Sequence, residues 1–392
     1  MALPRPIIFV PGVTATELRD LYAFPPDTVW ALLHSDYERA GQHPEDARYE
    51  GRLPAQIVPD RVYDLAYREM VLDLRHDLSP TADRPVPVYA FGYDWRQPLE
   101  AAQAKLAVFV QEVIEKTSLT RHYRADGYAN DPKVNLLGHS MGGMVITGYL
   151  ADAGRAARVD RVATIATPFR GSLAAVEKIL LGTNNRRERE AARLTPSLYY
   201  LLPSFTQGIT LEPPLPQTDL FDPRLWQVSV VESIQEALRL RGSGAVKDTP
   251  ANAKKILDKF LSQAKAHRQK IETFDPASCG LEAADWLCVI GIGDKTRVEL
   301  KVTQQPIGPY FDLLSPAMID DQISDPPTWR TGDGTVPYEG AQPGFSVTRQ
   351  VYSHRDWRLL ELREKGLDML TALHGILPNM DRLQERLRNH FA

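Results

Sequence analysis

A serine held between glycines, after a buried strand and before a helix, constrains this sequence most. The run Val134–Leu137 has the short, mostly apolar pattern of a central strand, the turn Gly138–Gly142 follows it, and a helix is predicted after Ser140. A G-x-S-x-G turn in this setting lifts the serine hydroxyl above the end of a sheet. Side chains at its two glycines would collide with the neighbouring strand and helix. The pattern therefore predicts that Ser140 is a nucleophile.

Strand and helix patterns alternate on both sides of this turn. The predicted strands are Pro6–Val10, Val86–Phe91 (with pairing from Val88), Val134–Leu137, Val159–Ile165, Trp286–Ile290 and, approximately, Phe345–Tyr352. The predicted helices cover about 98–116, 141–153 and 251–274, with a last helix from about Asp381. The alternation predicts an α/β-hydrolase fold, in which a mostly parallel central sheet carries helices on both faces.

The chain between the predicted strands Val159–Ile165 and Trp286–Ile290 is too long for an ordinary connection. A crossover between parallel strands needs only roughly 10–12 residues or slightly more. This stretch also contains the apolar run Leu194–Pro203 and a proline-rich loop at Glu212–Pro223. We therefore expect an inserted cap that is mainly helical.

These patterns divide the chain into a core and a cap. Residues 1–171 and 286–392 are predicted to form the α/β-hydrolase core, and residues 172–285 the inserted cap. Residues 15 to about 80 are rich in Pro, Asp and Arg. We expect them to form an irregular excursion outside the core sheet that acts as a lid or cap element.

Charge and composition limit the partners that the protein can have. The formal net charge is −4 and no basic stripe is present, which argues against a nucleic-acid partner. No signal-type leader is seen, and no window approaches the roughly 18 apolar residues of a membrane span, so a cytoplasmic location is expected. The two cysteines, Cys279 and Cys288, could pair in an oxidising compartment or stay reduced.

Cleavage of an ester by a serine needs donors for the developing oxyanion. In this fold one donor is the backbone amide after the nucleophile, here Met141, and the other lies in the loop after an earlier strand. The segment Pro11–Thr14 ends the first predicted strand, and the Val13 amide is the candidate. Apolar residues that could line an acyl pocket, or only pack the cap on the core, are Trp30, Leu198, Tyr199, Leu201 and Leu202.

The fold requires the chain order Ser, then Asp or Glu, then His. Asp333 lies in the glycine-flanked turn Gly332–Pro337, which suits a carboxylate held by backbone amides. We favour it over Asp294, which follows a predicted strand and is also explained by a surface turn.

Two histidines after Asp333 satisfy the order for the base. His354 follows a predicted strand and His374 precedes the last helix, so the order alone leaves both open. His390 is expected to be exposed because it lies near the chain end. His139 is predicted to be structural, or to contact the residues that form the site without contacting the substrate.

Six stretches along the chain carry a family resemblance. They are Val10–Gly12, Tyr93–Arg96, Gly138–Gly143, Ala166–Ser172, Gly332–Val336 and Leu373–Gly375. In this order they resemble the lecithin:cholesterol acyltransferase family, including its lysosomal phospholipase and phospholipid:diacylglycerol acyltransferase relatives. The combination of Tyr-Asp-Trp-Arg with Gly-Asp-Gly-Thr-Val is more specific than the serine motif, which many lipases share.

The resemblance implies roles for the candidate residues. Ser140, Asp333 and His374 would form the triad, with His374 preferred over His354, and Val13 and Met141 would bind the oxyanion. The implied substrates are lipid-like acyl esters, with transient contact at a membrane or lipid interface. The family's secreted members have a disulfide-pinned lid after the first strand, whereas both cysteines of this chain lie far downstream.

The motifs and the resemblance together predict a serine hydrolase that forms an acyl-enzyme on carboxylic esters. No metal ion or organic cofactor is expected, because the mechanism needs none. Two alternatives stay open. One is an acyltransferase that moves the acyl group to an alcohol, and the other is a catalytically inactive hydrolase fold used for binding. Triad chemistry also does not separate esters from amides.

Overall fold

The computed structural model describes residues 3–41, 56–152, 154–182, 186–204, 209–212, 219–240, 246–294, 296–298, 300–313, 331–357 and 373–392. The strands of this part are β1 (Ile7–Val10), β2 (Thr16–Asp20), β3 (Asp27–Ala31), β4 (His34–Ser35), β5 (Ile57–Val62), β6 (Val88–Ala90), β7 (Val134–His139), β8 (Val159–Ile165), β9 (Ile209–Glu212), β10 (Trp286–Ile292), β11 (Leu300–Gln305), β12 (Gly308–Asp312) and β13 (Thr348–Ser353). Its helices are α1 (Tyr37–Ala40), α2 (Asp64–Leu78), α3 (Leu99–Leu119), α4 (Arg121–Ala125), α5 (Met141–Leu150), α6 (Leu173–Leu181), α7 (Arg186–Arg193), α8 (Pro196–Tyr200), α9 (Val228–Leu240), α10 (Pro250–Glu272), α11 (Leu373–Ile376) and α12 (Asp381–Phe391).

The central sheet is parallel. Within the described residues it has six strands in the order β13-β10-β8-β7-β1-β6, and every neighbouring pair runs parallel. In the middle of the sheet, Ile8 of β1 pairs with Tyr89 of β6 and Leu136 of β7. Each of the six strands predicted for the core lies in this sheet, and the predicted α/β-hydrolase architecture is confirmed.

Both faces of the sheet are covered by helices. Along β1, Ile8 and Val10 belong to the same hydrophobic cluster as α3, α5 and α10, whereas Ile7 and Phe9 belong to a second cluster with α2 and α12. This alternation is the period of two that a strand buried on both faces requires. Full burial of such a side chain contributes about 1.5–3 kcal/mol, so these contacts hold the helices against the sheet.

The irregular structure predicted for residues 15 to 80 is wrong for their described part, which forms strands and a helix. These strands lie outside the central sheet, as predicted, and the role as a lid or cap element stays a prediction. Strands β2 to β5 form a four-stranded sheet in the order β4-β3-β2-β5, and α2 packs on the central sheet. Its residues Met70, Leu74 and Leu78 are buried at helical spacing against the core. The many polar residues of α2 conceal this spacing in the sequence, because they occupy its outer face.

The chain between β8 and β10 is mainly helical in its described part. It contains the helices α6 to α10 and one strand, β9. This strand pairs in parallel with β11, which follows β10 in the chain. The helical character predicted for the cap is confirmed, whereas the predicted domain boundaries stay a prediction. Residues 213–218 of the predicted loop Glu212–Pro223 lie outside the described residues.

The structure also bears on the predictions for the two cysteines and for His390. Cys279 and Cys288 are free thiols, and Cys288 is buried in β10. His390 is buried, contrary to the prediction, because α12 packs on the sheet and the His390 Nε2 donates to the carbonyl of Val162 at 2.9 Å. Among the described helices, none has the length and apolarity to cross a membrane.

Candidate active site

Ser140 occupies a sharp turn between β7 and α5. Its backbone has φ 53° and ψ −128°, a conformation that residues with a side chain rarely adopt. A Cβ on Gly138 would lie 2.7 Å from the Gly143 nitrogen, and a Cβ on Gly142 would lie 2.1 Å from the Val10 oxygen. The steric need for both glycines, predicted from the motif, is therefore confirmed.

The structure brings Ser140, His374 and Asp333 into one hydrogen-bonded chain. The His374 Nδ1 donates to the Asp333 Oδ2 at 2.8 Å, because a carboxylate only accepts. The Nε2 of the same ring lies 3.0 Å from the Ser140 hydroxyl oxygen. The Asp333 side chain is 1% exposed and that of His374 is 13% exposed, so the chain is largely shielded from water. This is the geometry of a general base beside a nucleophile.

Asp333 is held by the turn that contains it. Its Oδ1 accepts from the amides of Thr335 at 3.0 Å and Val336 at 2.7 Å. Gly334 has φ +87°, which favours glycine and allows the turn to fold back on the carboxylate. The held carboxylate predicted from the glycine flanks is thus confirmed.

Asp294, the rival for the acid, contacts the backbone beside His374, whereas the rival base His354 belongs to the turn after β13. Asp294 is half-buried, and its Oδ2 accepts from the backbone amide of Leu373 at 2.8 Å. It therefore contacts the chain next to His374, while Asp333 contacts the ring. His354 begins the short turn His354–Asp356 that follows β13.

The segment after β1 lies against Ser140. A Cβ on Gly12 would be 3.0 Å from the Ser140 Cβ and 3.4 Å from its Oγ, so a side chain there would crowd Ser140. Val13 follows directly on this loop. Met141 is the first residue of α5, where a backbone amide has no acceptor within the helix. Both predicted oxyanion donors thus flank Ser140, and their role stays a prediction.

Aromatic side chains fix the loop that contains Val13. The Tyr93 hydroxyl donates to the Pro11 carbonyl at 3.0 Å, and the Trp30 Nε1 donates to the Thr14 carbonyl at 2.8 Å. The carbonyls on both sides of Val13 are therefore anchored. Trp30 is predicted to line the substrate pocket. The hydrogen bond to Thr14 gives it a structural role as well, which the sequence does not indicate.

The Tyr93–Arg96 motif continues this support. The Trp95 Nε1 donates to the Thr16 carbonyl at 3.1 Å. Arg96 donates to both oxygens of Asp94, at 2.9 and 2.8 Å, in a pair that is almost fully buried. Such a two-bonded pair fixes planar geometry as well as charge. The motif therefore braces the start of β2 and the loop before it, a role that its sequence did not reveal.

The other predicted pocket residues lie inside the cap. Tyr199 packs on Trp226 and Phe260, and its hydroxyl donates to the Arg193 carbonyl at 2.9 Å. Tyr199 and Leu202 have no exposed surface, and Leu198 and Leu201 have little. In this structure they form cap packing, and their contact with substrate stays a prediction. Within the described residues, no group of three His, Cys, Asp or Glu side chains is arranged to hold a metal ion.

A solved structure resembles the fold of this chain, and a family model matches part of its sequence. In the search of solved structures, a chain of the Tle4–Tli4 complex superposes with a TM-score of 0.64 over 100% of this chain and 98% of that chain, at 16% identity. At this identity the likeness concerns the fold alone.

Two lipases align with lower similarity. Lipase BlEst2 of Bacillus licheniformis aligns over 89% of this chain and 83% of its own, with 12% identity and a TM-score of 0.32. A monoacylglycerol lipase of Paleococcus ferrophilus aligns over 100% of this chain and 98% of its own, with the same identity of 12% and TM-score of 0.32. Both superpose too poorly to bear on the fold.

No curated protein matches the chain. Residues 82–221 match the family model of lecithin:cholesterol acyltransferase, and this stretch contains the Tyr93–Arg96 motif and Ser140. The resemblance to this family, predicted from the motifs, is thus confirmed over residues 82–221.

Proposed function

We propose that this protein is a serine hydrolase that cleaves lipid-like carboxylic esters through an acyl-enzyme on Ser140. The observation that carries the proposal is the contact of the His374 Nε2 with the Ser140 Oγ at 3.0 Å, at the top of a glycine-bracketed turn. The match of residues 82–221 to an acyltransferase family supports ester chemistry as the type of reaction.

The proposed reaction has two halves. The Ser140 oxygen attacks the ester carbonyl, and its proton moves to the His374 Nε2, while the Asp333 carboxylate stabilises the imidazolium. The amides of Val13 and Met141 stabilise the oxyanion. The ester bond then breaks, the leaving alcohol takes the proton from His374, and the acyl group remains on Ser140. In the second half a water molecule repeats the same steps and releases the carboxylic acid.

An ester panel with serine labelling tests the proposal. Wild type should hydrolyse chromogenic esters of one range of acyl lengths and should be labelled by a fluorophosphonate, whereas Ser140→Ala should lose both. The expected loss in kcat is about 10³-fold or more, because triad members act as a unit. Ser262→Ala is the matched control, since Ser262 is an exposed serine on α10. A labelled, active Ser140→Ala protein contradicts the proposal.

The same panel assigns the base. We expect His374→Ala to lose activity and His354→Ala to keep it, because the His374 ring contacts both Ser140 and Asp333. The reverse result assigns the base to His354. Wild type that neither hydrolyses esters nor takes the label indicates an inactive fold used for binding.

The second candidate is acyl transfer to an alcohol. It is favoured by the family match over residues 82–221, since that family is named for acyl transfer. Product analysis with and without an added long-chain alcohol separates the two. A new ester in place of the free acid identifies a transferase, and free acid alone identifies a hydrolase.

A further inference from the structure

The histidine beside the nucleophile makes two hydrogen bonds that the proposed reaction does not use. His139 ends β7, and its side chain is buried. Its Nδ1 lies 2.8 Å from the Tyr67 hydroxyl, and its Nε2 lies 2.9 Å from the backbone oxygen of His374. The ring therefore lies between α2 and the segment that carries the proposed base.

The partners determine which nitrogen of His139 carries the proton. A carbonyl oxygen only accepts, so the Nε2 must donate to His374. Burial lowers the pKa of His139 well below its usual value, and the nearby His374 adds to this, so the ring is neutral. The Nδ1 is then an acceptor, and Tyr67 must donate to it. Burial raises the pKa of Tyr67, so its phenol keeps the proton that this bond needs.

Three hydrogen bonds hold the backbone around the proposed base. The Leu373 amide donates to Asp294 at 2.8 Å, the His374 amide donates to the Asp333 carbonyl at 2.9 Å, and the His374 carbonyl accepts from His139. The first two come from the turn region near the acid, and the third comes from the nucleophile's own strand. Of these three backbone bonds, the His139 bond is the one that joins the segment of the base to β7, the strand that leads into Ser140.

We propose that His139 is a positioning residue that holds the His374 carbonyl, and that Tyr67 acts through it by fixing the tautomer with the proton on Nε2. The inference rests on the proposed function, because it takes His374 as the base. A base held to the strand of the nucleophile keeps its Nε2 within reach of Ser140, and a small displacement of a catalytic group is costly in rate.

A simpler alternative is that His139 and Tyr67 only fill the core. Their rings pack at 5.5 Å between centroids, and Tyr67 also packs on Phe9 at 4.7 Å. If packing were their whole role, an apolar side chain of similar size would keep catalysis and change only stability. The two roles therefore predict different kcat values for such a variant.

The test compares Tyr67→Phe, His139→Leu, His139→Gln and the double variant Tyr67→Phe/His139→Leu in ester hydrolysis. We expect Tyr67→Phe to lower kcat about tenfold with little change in KM, as for one lost buried hydrogen bond. His139→Leu should lose more, and His139→Gln should recover part of the loss because its amide can donate to the His374 carbonyl. The double variant should be no worse than His139→Leu, since Tyr67 acts through His139.

Tyr123→Phe is the matched control. Tyr123 is also buried, and its hydroxyl also donates a hydrogen bond, in this case to the Pro4 carbonyl at 2.7 Å, but it belongs to a separate cluster with Leu3 and Tyr128. It should keep wild-type kcat. Wild-type kcat in folded His139→Leu, or losses that add in the double variant, overturn the inference.

A spectroscopic measurement separates failure of the inference from failure of the proposed function. The proton between the His374 Nδ1 and Asp333 gives a ¹H NMR resonance that does not depend on turnover. Tyr67→Phe should shift this resonance and Tyr123→Phe should leave it unchanged. If wild type hydrolyses no ester, the proposed function fails, and the resonance still decides the positioning role. An unchanged resonance in Tyr67→Phe rejects it.

Discussion

Two residues of the candidate site have strained backbone conformations: Ser140 itself and Thr14, which lies in the loop after β1. Ser140 has φ 53° and Thr14 has φ 63°, in the region that favours glycine. Such a conformation costs roughly 1–3 kcal/mol and persists only when its surroundings fix it. The Ser140 amide donates to Ile165 at 2.8 Å, and the Thr14 carbonyl accepts from Trp30 at 2.8 Å. The strain is therefore held on both sides of the proposed oxyanion position.

The two aspartates near His374 should respond differently to the same substitution. Asp333→Asn should lower kcat by about 10⁴-fold, as for an asparagine in a serine triad, because an amide supports the wrong imidazole tautomer. Asp294→Asn should stay within about tenfold, since an amide oxygen can still accept from Leu373. Steady-state kinetics of both variants on one ester measure this. Equal losses would show that Asp294 contributes as much as Asp333.

Residues whose role depends on neighbours in sequence could be predicted, and those that depend on distant packing could not. The turn around Ser140 and the held Asp333 follow from local glycines, strand and helix patterns. The choice of His374 over His354 needed the family resemblance, because the chain order allows both. Tyr67 gave no signal, because its contact with His139 spans 72 positions and depends on how α2 packs on the sheet. The burial of His390 was missed for the same kind of reason.

At the scale of elements, α3, α5 and α10 meet at one tightly packed crossing. A Cβ on Gly148 of α5 would lie 2.2 Å from the Gln103 Nε2 of α3, so a larger residue there would displace the Gln103 amide. The Gln103 amide donates to the His267 Nε2 of α10 at 2.7 Å. Burial, with the charges of Arg268 and Lys270, lowers the pKa of His267 to about 3. This polar contact joins the cap helix α10 to the core helices and holds His267 neutral.

The neutral His267 predicts acid sensitivity. The pKa in the folded state is about 3, against the usual 6.5, so between these values the unfolded chain binds the additional proton. The contribution of the neutral His267 to the free energy of unfolding is therefore fully present above about pH 6.5. It is lost as the pH decreases towards 3, by up to about 1.4 kcal/mol per pH unit. Urea unfolding across this range should show a smaller slope with pH for His267→Gln than for wild type.

The matched control for this series is His76→Gln, because the His76 side chain is 88% exposed. It should follow the wild-type dependence on pH. Identical pH dependence of wild type and His267→Gln would mean that His267 takes up its proton in the folded protein, which requires water or an anion to reach α10.

At the scale of the molecule, the cap and one face of the core share a single hydrophobic cluster. It runs from Ile8 and Leu136 in the sheet to Tyr199 and Phe260 in the cap. Arg268 of α10 is buried in this region and donates to carbonyls of Pro168, Phe169, Tyr200 and Leu202, which belong to the chain after β8 and to the cap. The core and the cap predicted from the sequence are defined by their residue ranges. The hydrophobic packing does not stop at the boundary between these ranges.

Continuous packing predicts that cap and core unfold together. Opening α10 would expose its buried residues Phe260 and Leu261 and the helix side chains that they contact, and each fully buried side chain of this kind is worth about 1.5–3 kcal/mol. Native-state hydrogen exchange measures this directly, because amides in one cooperative unit share one opening free energy. We expect the most protected amides of α10 to match those of β7 and β8, and α2 to match them as well through its own contacts on the other face. Exchange of α10 at a much lower free energy, with β7 and β8 still protected, would instead identify the cap as a unit that opens over an intact core.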